Sequence, residues 1–239
     1  MKGVILAAGV GKRLRPFTSR LPKPMLKVGG RPIIEYSIRL FRRAGVKEIF
    51  INLHYKPEAI VEYLGDGRKF GVHIRYFYER DLLGTAGALK NMSRLLKGGA
   101  FLVAYGDTLR NIDIPRMIKK HKAKNADFTV ALYRVDDPKG CGIARMRCDN
   151  SICEFIEKPD IKTVSSRDYA NCGLYIIEPR VLRAIPARKK YDFACDLFPY
   201  LLSHNYRIYG YPIRSYLLDI GTPSSFSKSK KIIHVFRNT

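Results

Sequence analysis

Val4-Ile5-Leu6-Ala7-Ala8-Gly9-Val10-Gly11-Lys12-Arg13-Leu14-Arg15-Pro16, followed by Pro22-Lys23-Pro24-Met25, is the stretch on which the fold turns. The apolar run over 4–8 reads as a buried strand that opens into a glycine-rich, basic loop. Glycines at 9 and 11 let the main chain approach a bulky anion, and Arg13 and Lys23 bring charge suited to phosphate oxygens. Two better-known phosphate loops are excluded. A dinucleotide fingerprint needs a third glycine where Leu14 stands, and a P-loop needs Ser or Thr after Gly-Lys, where Arg13 stands. A tight strand-to-loop turn would use the same glycines and leave Arg13 and Lys23 as surface charges, so the assignment rests on the whole string.

Outward from this loop, strands alternate with helices, the pattern of a mostly parallel, doubly wound α/β sheet. Pro32 opens a helix with Ile33, Ile34, Ser37, Leu40 and Phe41 on one face and Gly45 as its stop. Strands are expected over 48–53, 72–78 and 100–105, and helices over 57–64 and 85–96. The last of these strands ends in Gly106-Asp107, and ligands of open α/β sheets bind beyond the carboxyl ends of strands. From residue 127 onward strand-like segments dominate, over 128–133, 143–147, 152–156 and 174–177, and are expected to extend the sheet. A helix should open at Pro223.

A chain of 239 residues, 46% hydrophobic, is ample for one α/β domain with a buried core. No apolar run approaches the roughly 20 residues of a membrane helix, and the reading is a cytoplasmic protein with no membrane span. Cys141, Cys148, Cys153, Cys172 and Cys195 are odd in number and lack Cys-x-x-Cys spacing, which argues against a disulfide framework or a zinc ribbon. Lys and Arg number 44 against 21 Asp and Glu, a net charge of +23. Such a surface attracts polyanions. The basic runs are scattered and no nucleic-acid-binding motif accompanies them, so nonspecific, salt-sensitive polyanion adhesion is the expectation, and a basic nucleic-acid-binding protein is the alternative from another class.

The string Leu6-Ala7-Ala8-Gly9-x-Gly11-x-Arg13-Leu14-x-Pro16 with Pro22-Lys23-Pro24-Met25 resembles the signature of the sugar-1-phosphate nucleotidyltransferases, or NDP-sugar pyrophosphorylases. The resemblance continues in order through Leu83-Gly84-Thr85-Ala86-Gly87, Gly106-Asp107, Phe155-Ile156-Glu157-Lys158-Pro159, Asn171-Cys172-Gly173 and Asp219-Ile220-Gly221-Thr222-Pro223, and so covers nearly the whole chain. It implies a Rossmann-like, doubly wound mixed sheet in a single domain, with a nucleotide-binding half over 1–126, a sugar-binding half over 127–239 and no C-terminal β-helix. Leu6, Ala8, Gly9, Gly11, Gly84, Thr85, Ala86 and Gly87 would lie against the nucleotide. Arg13 would contact the β- and γ-phosphates and Lys23 the α-phosphate, as the catalytic cations. Glu157 and Asn171 would bond sugar hydroxyls and Lys158 the sugar phosphate, with Gly142 and Thr222 as second-rank candidates. Asp107 and Asp219 would hold Mg²⁺.

Each of these positions also has a plainer reading. Asp107 would equally cap the next turn, and Glu157-Lys158-Pro159 would equally be an exposed charged turn. Asp219, behind Leu217-Leu218 and before Ile220, is a charge in an apolar strand and needs a partner or a metal. The resemblance is nearest to short mannose-1-phosphate or heptose-1-phosphate guanylyltransferases, with UTP or dTTP and glucose 1-phosphate as the alternative substrates. The partners would be a nucleoside triphosphate and a sugar 1-phosphate, with a homo-oligomeric state left open. Where relatives usually carry an aromatic before the last Asp and charges before Asp196, this chain has Leu217-Leu218 and Ala194-Cys195, and these departures bear on acceptor packing.

Overall fold

The computed structural model describes residues 1–134, 141–160, 164–165, 168–213 and 217–231. The opening apolar run forms the strand Lys2–Leu6, paired in parallel on one side with Glu48–Leu53 and on the other with Phe101–Tyr105. Glu48–Leu53 in turn carries the parallel strand His73–Tyr78. The strand starts and stops two residues earlier than the hydropathy suggests. Lys2 is already in register with Glu48, whereas the N–H of Ala7 donates to the Asn52 side chain, 2.8 Å away, so Ala7 and Ala8 belong to the loop.

The chain therefore runs outward from Lys2–Leu6 to Glu48–Leu53 and His73–Tyr78, then returns to the opposite flank of the first strand as Phe101–Tyr105. Strand order reverses at that point, and a crevice opens between the carboxyl ends of Lys2–Leu6 and Phe101–Tyr105. Gly9 follows one of these ends and Asp107 the other.

Two compact units make up the chain: one holds 1–82, 102–114 and the described residues of 217–231, the other 83–101 and 115–213. The division is interleaved where a cut at residue 126 was expected. Physically, the strand Phe101–Tyr105 completes the parallel set of the first unit, and Leu217–Asp219 pairs antiparallel with Thr108–Arg110, with Asp219 opposite Thr108.

In the first unit the helix Ile33–Arg43 buries Ile33, Ile34, Tyr36, Ile38, Leu40 and Phe41, and stops at Gly45, whose N–H reaches the Arg42 carbonyl at 2.9 Å. Ser37 on its buried face receives Arg110 Nη1 at 3.3 Å, and Arg110 Nη2 bonds the Tyr105 carbonyl at 3.1 Å. A hydroxyl in an apolar stripe is thereby explained by a guanidinium that is 2% exposed. The last helix, Pro223–Lys231, begins where Pro223 predicts, and Thr222 caps it: Ser225 N–H donates to Thr222 Oγ1 at 3.1 Å.

The second unit is mainly antiparallel. Gly142–Met146 pairs with Ile152–Glu157 and with Tyr169–Ile177, which pairs with Phe128–Tyr133, and Ile208–Ile213 lies parallel to the last. Its helix Gly84–Asn91 ends five residues short of the expected 96, because the chain tightens after Leu89: Met92 and Ser93 donate to carbonyls three residues back, at 3.1 Å each. The core is aromatic. Phe128, Tyr175, Phe193 and Phe198 meet mostly edge to face, with centroids 4.9 to 6.3 Å apart. Phe128 is fully buried at the centre of this cluster, so Phe128→Ala is expected to cost about 3–5 kcal/mol in urea unfolding.

Candidate active site

The loop beyond Lys2–Leu6 is fixed from beneath. Asn52 accepts the Ala7 N–H and donates Nδ2 to Glu79 Oε1 at 2.7 Å, and both side chains are buried. Gly11 then takes a left-handed conformation, φ +65°, with its carbonyl accepting Leu14 N–H at 3.0 Å and the Thr18 hydroxyl at 2.8 Å. A methyl group at Gly11 would sit 3.1 Å from Thr18 Cγ2 and 3.2 Å from Lys23 Cβ, so both backbone conformation and space call for glycine here. Gly9 has open space where a side chain would be, and Lys12 and Arg13 are exposed.

These residues line a cavity of about 240 Å³ together with Leu6, Lys23, Asp107 and Gly221. Lys23 sits on the short turn Lys23–Met25 behind Pro22 and is nearly buried, and its Nζ is 2.5 Å from Asp107 Oδ2. Arg13, Lys23, Gly9, Gly11, Leu6 and Asp107 thus come together as expected; Ala8 is buried next to the loop and does not line the cavity. The Ile220 N–H donates to the Asp107 carbonyl at 3.4 Å, which brings the backbone of Asp219 alongside; the Asp219 side chain lies outside what the structure describes.

Hard dications take one or two carboxylates and complete their shell with substrate oxygens. The Asp107 carboxylate, 30% exposed at the border of the cavity, is a donor of that kind. Among the described residues no group of three or more His, Cys, Asp or Glu could hold a metal without such help.

The remaining expected positions belong to the second unit. At Gly84-Thr85-Ala86-Gly87 the helix N-terminus is already satisfied: the Tyr191 carbonyl accepts Ala86 and Gly87 N–H at 3.0 Å, and a Cβ at Gly84, φ +75°, would lie 2.7 Å from that same oxygen. Thr85 Oγ1 donates to Asp192 Oδ2 and accepts Phe193 N–H, both at 2.8 Å. Asp192 Oδ1 also accepts Ala194 N–H at 2.9 Å, and Asp196 Oδ2 accepts Asp192 N–H at 2.7 Å. The motif is therefore held by its own unit, and Asp192, absent from the sequence expectations, is the residue that ties it. The signal was present as two aspartates four apart in a turn.

Glu157, opposite Gly142 in the strand pair, has its carboxyl raised above the usual range by burial, opposed by Lys158 and reinforced by Asp192. Lys158 is exposed, with φ 49°. Asn171 stands where the register shifts against Phe128–Tyr133; its Oδ1 accepts Gly173 N–H at 3.0 Å and its Nδ2 donates to Tyr175 at 2.7 Å. Such a bulge re-aims a side chain. His121, which had no expected role, is buried between Thr129 Oγ1 at 2.7 Å and Glu178 Oε1 at 3.4 Å, and burial lowers its pKa. Among the described residues no helix is long and apolar enough to cross a membrane.

A family model described as nucleotidyl transferase matches residues 2–234, and the chain belongs to that family. It is 34% identical to the mannose-1-phosphate guanylyltransferase of Mycobacterium tuberculosis over 93% of its length, and 34% identical to the UTP–glucose-1-phosphate uridylyltransferase of Synechocystis over 92%. It spans only 62% and 60% of those two relatives. Among solved structures it resembles a glucose-1-phosphate thymidylyltransferase from Bacillus anthracis (TM-score 0.87, 27% identity, 97% of this chain and 94% of that one). It also resembles HddC from Yersinia pseudotuberculosis complexed with GMP-PN (TM-score 0.79, 25% identity, 97% of this chain and 99% of that one).

Replacing Asn52 by Leu removes the acceptor of the Ala7 N–H and the donor to Glu79 Oε1, and is expected to cost about 1–3 kcal/mol in urea unfolding. The raised carboxyl of Glu157 has a definite sign. The native state holds its proton to higher pH than the unfolded chain, so this group's contribution falls as pH rises from the usual carboxylate value through the raised native one. Compared with wild type, Glu157→Gln is expected to lose this group's share of the pH dependence of Tm across that window, so that the difference in Tm between the two changes there and is flat outside it.

Proposed function

We propose that this chain joins a nucleoside triphosphate to a sugar 1-phosphate, releasing pyrophosphate, with GTP and mannose 1-phosphate as the first pairing. One observation carries this: the glycine loop, Arg13, Lys23 and Asp107 line a single cavity at the point where strand order reverses. Family membership narrows the chemistry to nucleotidyl transfer. Several similar relatives are mannose-1-phosphate guanylyltransferases, and the HddC structure carries a guanine nucleotide analogue. The Synechocystis and Bacillus anthracis relatives support a second reading, uridylyl or thymidylyl transfer to glucose 1-phosphate.

In this reaction an oxygen of the sugar phosphate attacks the α-phosphorus in line, the bond from that phosphorus to the bridging oxygen breaks, and pyrophosphate leaves with the electron pair. Backbone N–H groups at Gly9 and Gly11 would cradle the triphosphate, Arg13 would neutralise the departing β- and γ-phosphates, and Lys23 would act at the α-phosphate. A Mg²⁺ ion on Asp107 and Asp219 would supply further neutralisation of phosphate charge. By the family resemblance, Glu157 and Asn171 would bond sugar hydroxyls and Lys158 the sugar phosphate, while within the second unit the Thr85–Asp192 bond holds the Gly84–Gly87 segment in shape. The site would reside in the cytoplasm.

Pyrophosphate release over a panel of GTP, UTP, dTTP and ATP against mannose, glucose and heptose 1-phosphates, with Mg²⁺ and with EDTA, tests the reading. Turnover that needs both substrates and the metal is expected; no turnover in any pairing refutes it. Arg13→Ala is expected to keep the fold, since the side chain is exposed, and to lower kcat/KM about 100-fold.

A further inference from the structure

The ion pair between Lys23 and Asp107 joins two groups that nucleotidyl transfer assigns to different partners, the α-phosphate and a divalent cation. An ammonium as enclosed as that of Lys23 needs an anion beside it, and Asp107 Oδ2 at 2.5 Å provides one. The other carboxylate oxygen receives the Thr108 hydroxyl at 3.3 Å. A hard dication would sit at comparable range from the same oxygens, and two cations crowded onto one carboxylate repel each other strongly in a partly enclosed site. The Lys23 stem is fixed: it issues from the turn behind Pro22, and its Cβ packs against Gly11 closely enough that a methyl there would come within 3.2 Å. Lys23 and Asp107 both line the cavity that Gly9, Gly11 and Arg13 also line, so an anion held by the loop would share that space with the ion pair and compete with Asp107 for the ammonium.

We propose that in the nucleotide-free protein Lys23 occupies the place of the divalent cation on Asp107, and that a phosphate bound on the glycine loop draws it away and opens the carboxylate to the metal. Nucleotide and cation then bind cooperatively, each strengthening the other by the same factor. For the identity of the anion this rests on the nucleotidyl-transfer reading; the competition for Asp107 does not.

The experiment titrates Mn²⁺ into the nucleotide-free protein and follows the free ion by electron paramagnetic resonance. Lys23→Met is expected to bind Mn²⁺ at least about tenfold more tightly than wild type, Lys23→Arg to bind as wild type does, and the gain to vanish in the Lys23→Met/Asp107→Asn double variant. In the wild type, a nucleoside monophosphate (GMP, UMP or dTMP, weak chelators bearing one α-phosphate) is expected to raise Mn²⁺ affinity by a similar factor and to add nothing in Lys23→Met. Equal Mn²⁺ affinity in wild type and Lys23→Met overturns the proposal, as does a gain that survives loss of the Asp107 charge. Should Lys23→Met not fold, the wild-type arm decides, and no rise with any of the three monophosphates overturns it. Competition at Asp107 without pyrophosphate release in the panel would refute the functional reading alone, and release without competition would refute this proposal alone.

Discussion

The hydrogen bond from the Ala7 N–H to Asn52 is the contact on which the site depends, because it decides where the first strand stops being a strand. Asn52 is a polar residue inside the apolar run Ile49-Phe50-Ile51, and it can sit there only because Glu79 occupies its amide. A buried amide and a buried carboxyl are costly alone and tolerable as a pair. The glycine-loop edge of the first unit is in this sense built on a small polar relay beneath the loop.

The parts of this fold with a strong local signal were legible in the sequence. The helix Ile33–Arg43 follows from apolar spacing between Pro32 and Gly45, the strand Phe101–Tyr105 from an unbroken apolar run, and Glu48–Leu53 from the run Ile49-Phe50-Ile51 within it. What was not legible depends on partners distant in the chain. Thr108–Arg110 has no strand signal of its own and becomes a strand by pairing with Leu217–Asp219, and Ser37 on an apolar face makes sense only beside Arg110.

The site divides in the same way. Gly11 declares itself, since its conformation is one other residues avoid, and Lys23 and Arg13 declare themselves by their spacing from it. That Lys23 would be enclosed against Asp107 while Arg13 stayed in solvent could not be read from spacing, because both are cations in one basic stretch. Asp192 was hidden for the opposite reason: its three hydrogen-bonding roles are with Thr85 and with its own turn, and nothing local distinguishes it from Asp196. Thr222 stands in a motif as a second-rank site candidate, and its hydroxyl also accepts the Ser225 N–H at the start of the helix Pro223–Lys231, which spacing alone does not reveal.

The interleaved path of the chain has a consequence for synthesis. All of 83–213 is synthesised before Leu217–Asp219, the partner of Thr108–Arg110, is made. The unit that begins first is thus completed last, contrary to the usual order in which N-terminal units close before later ones. Throughout that interval the edge of Thr108–Arg110 and the apolar side chains of Leu14, Leu26, Ile33 and Leu109 wait for Ile220 and Phe226 to cover them. A nascent chain stalled within this window exposes a hydrophobic surface beside the glycine loop, and that surface is one quality control can recognise.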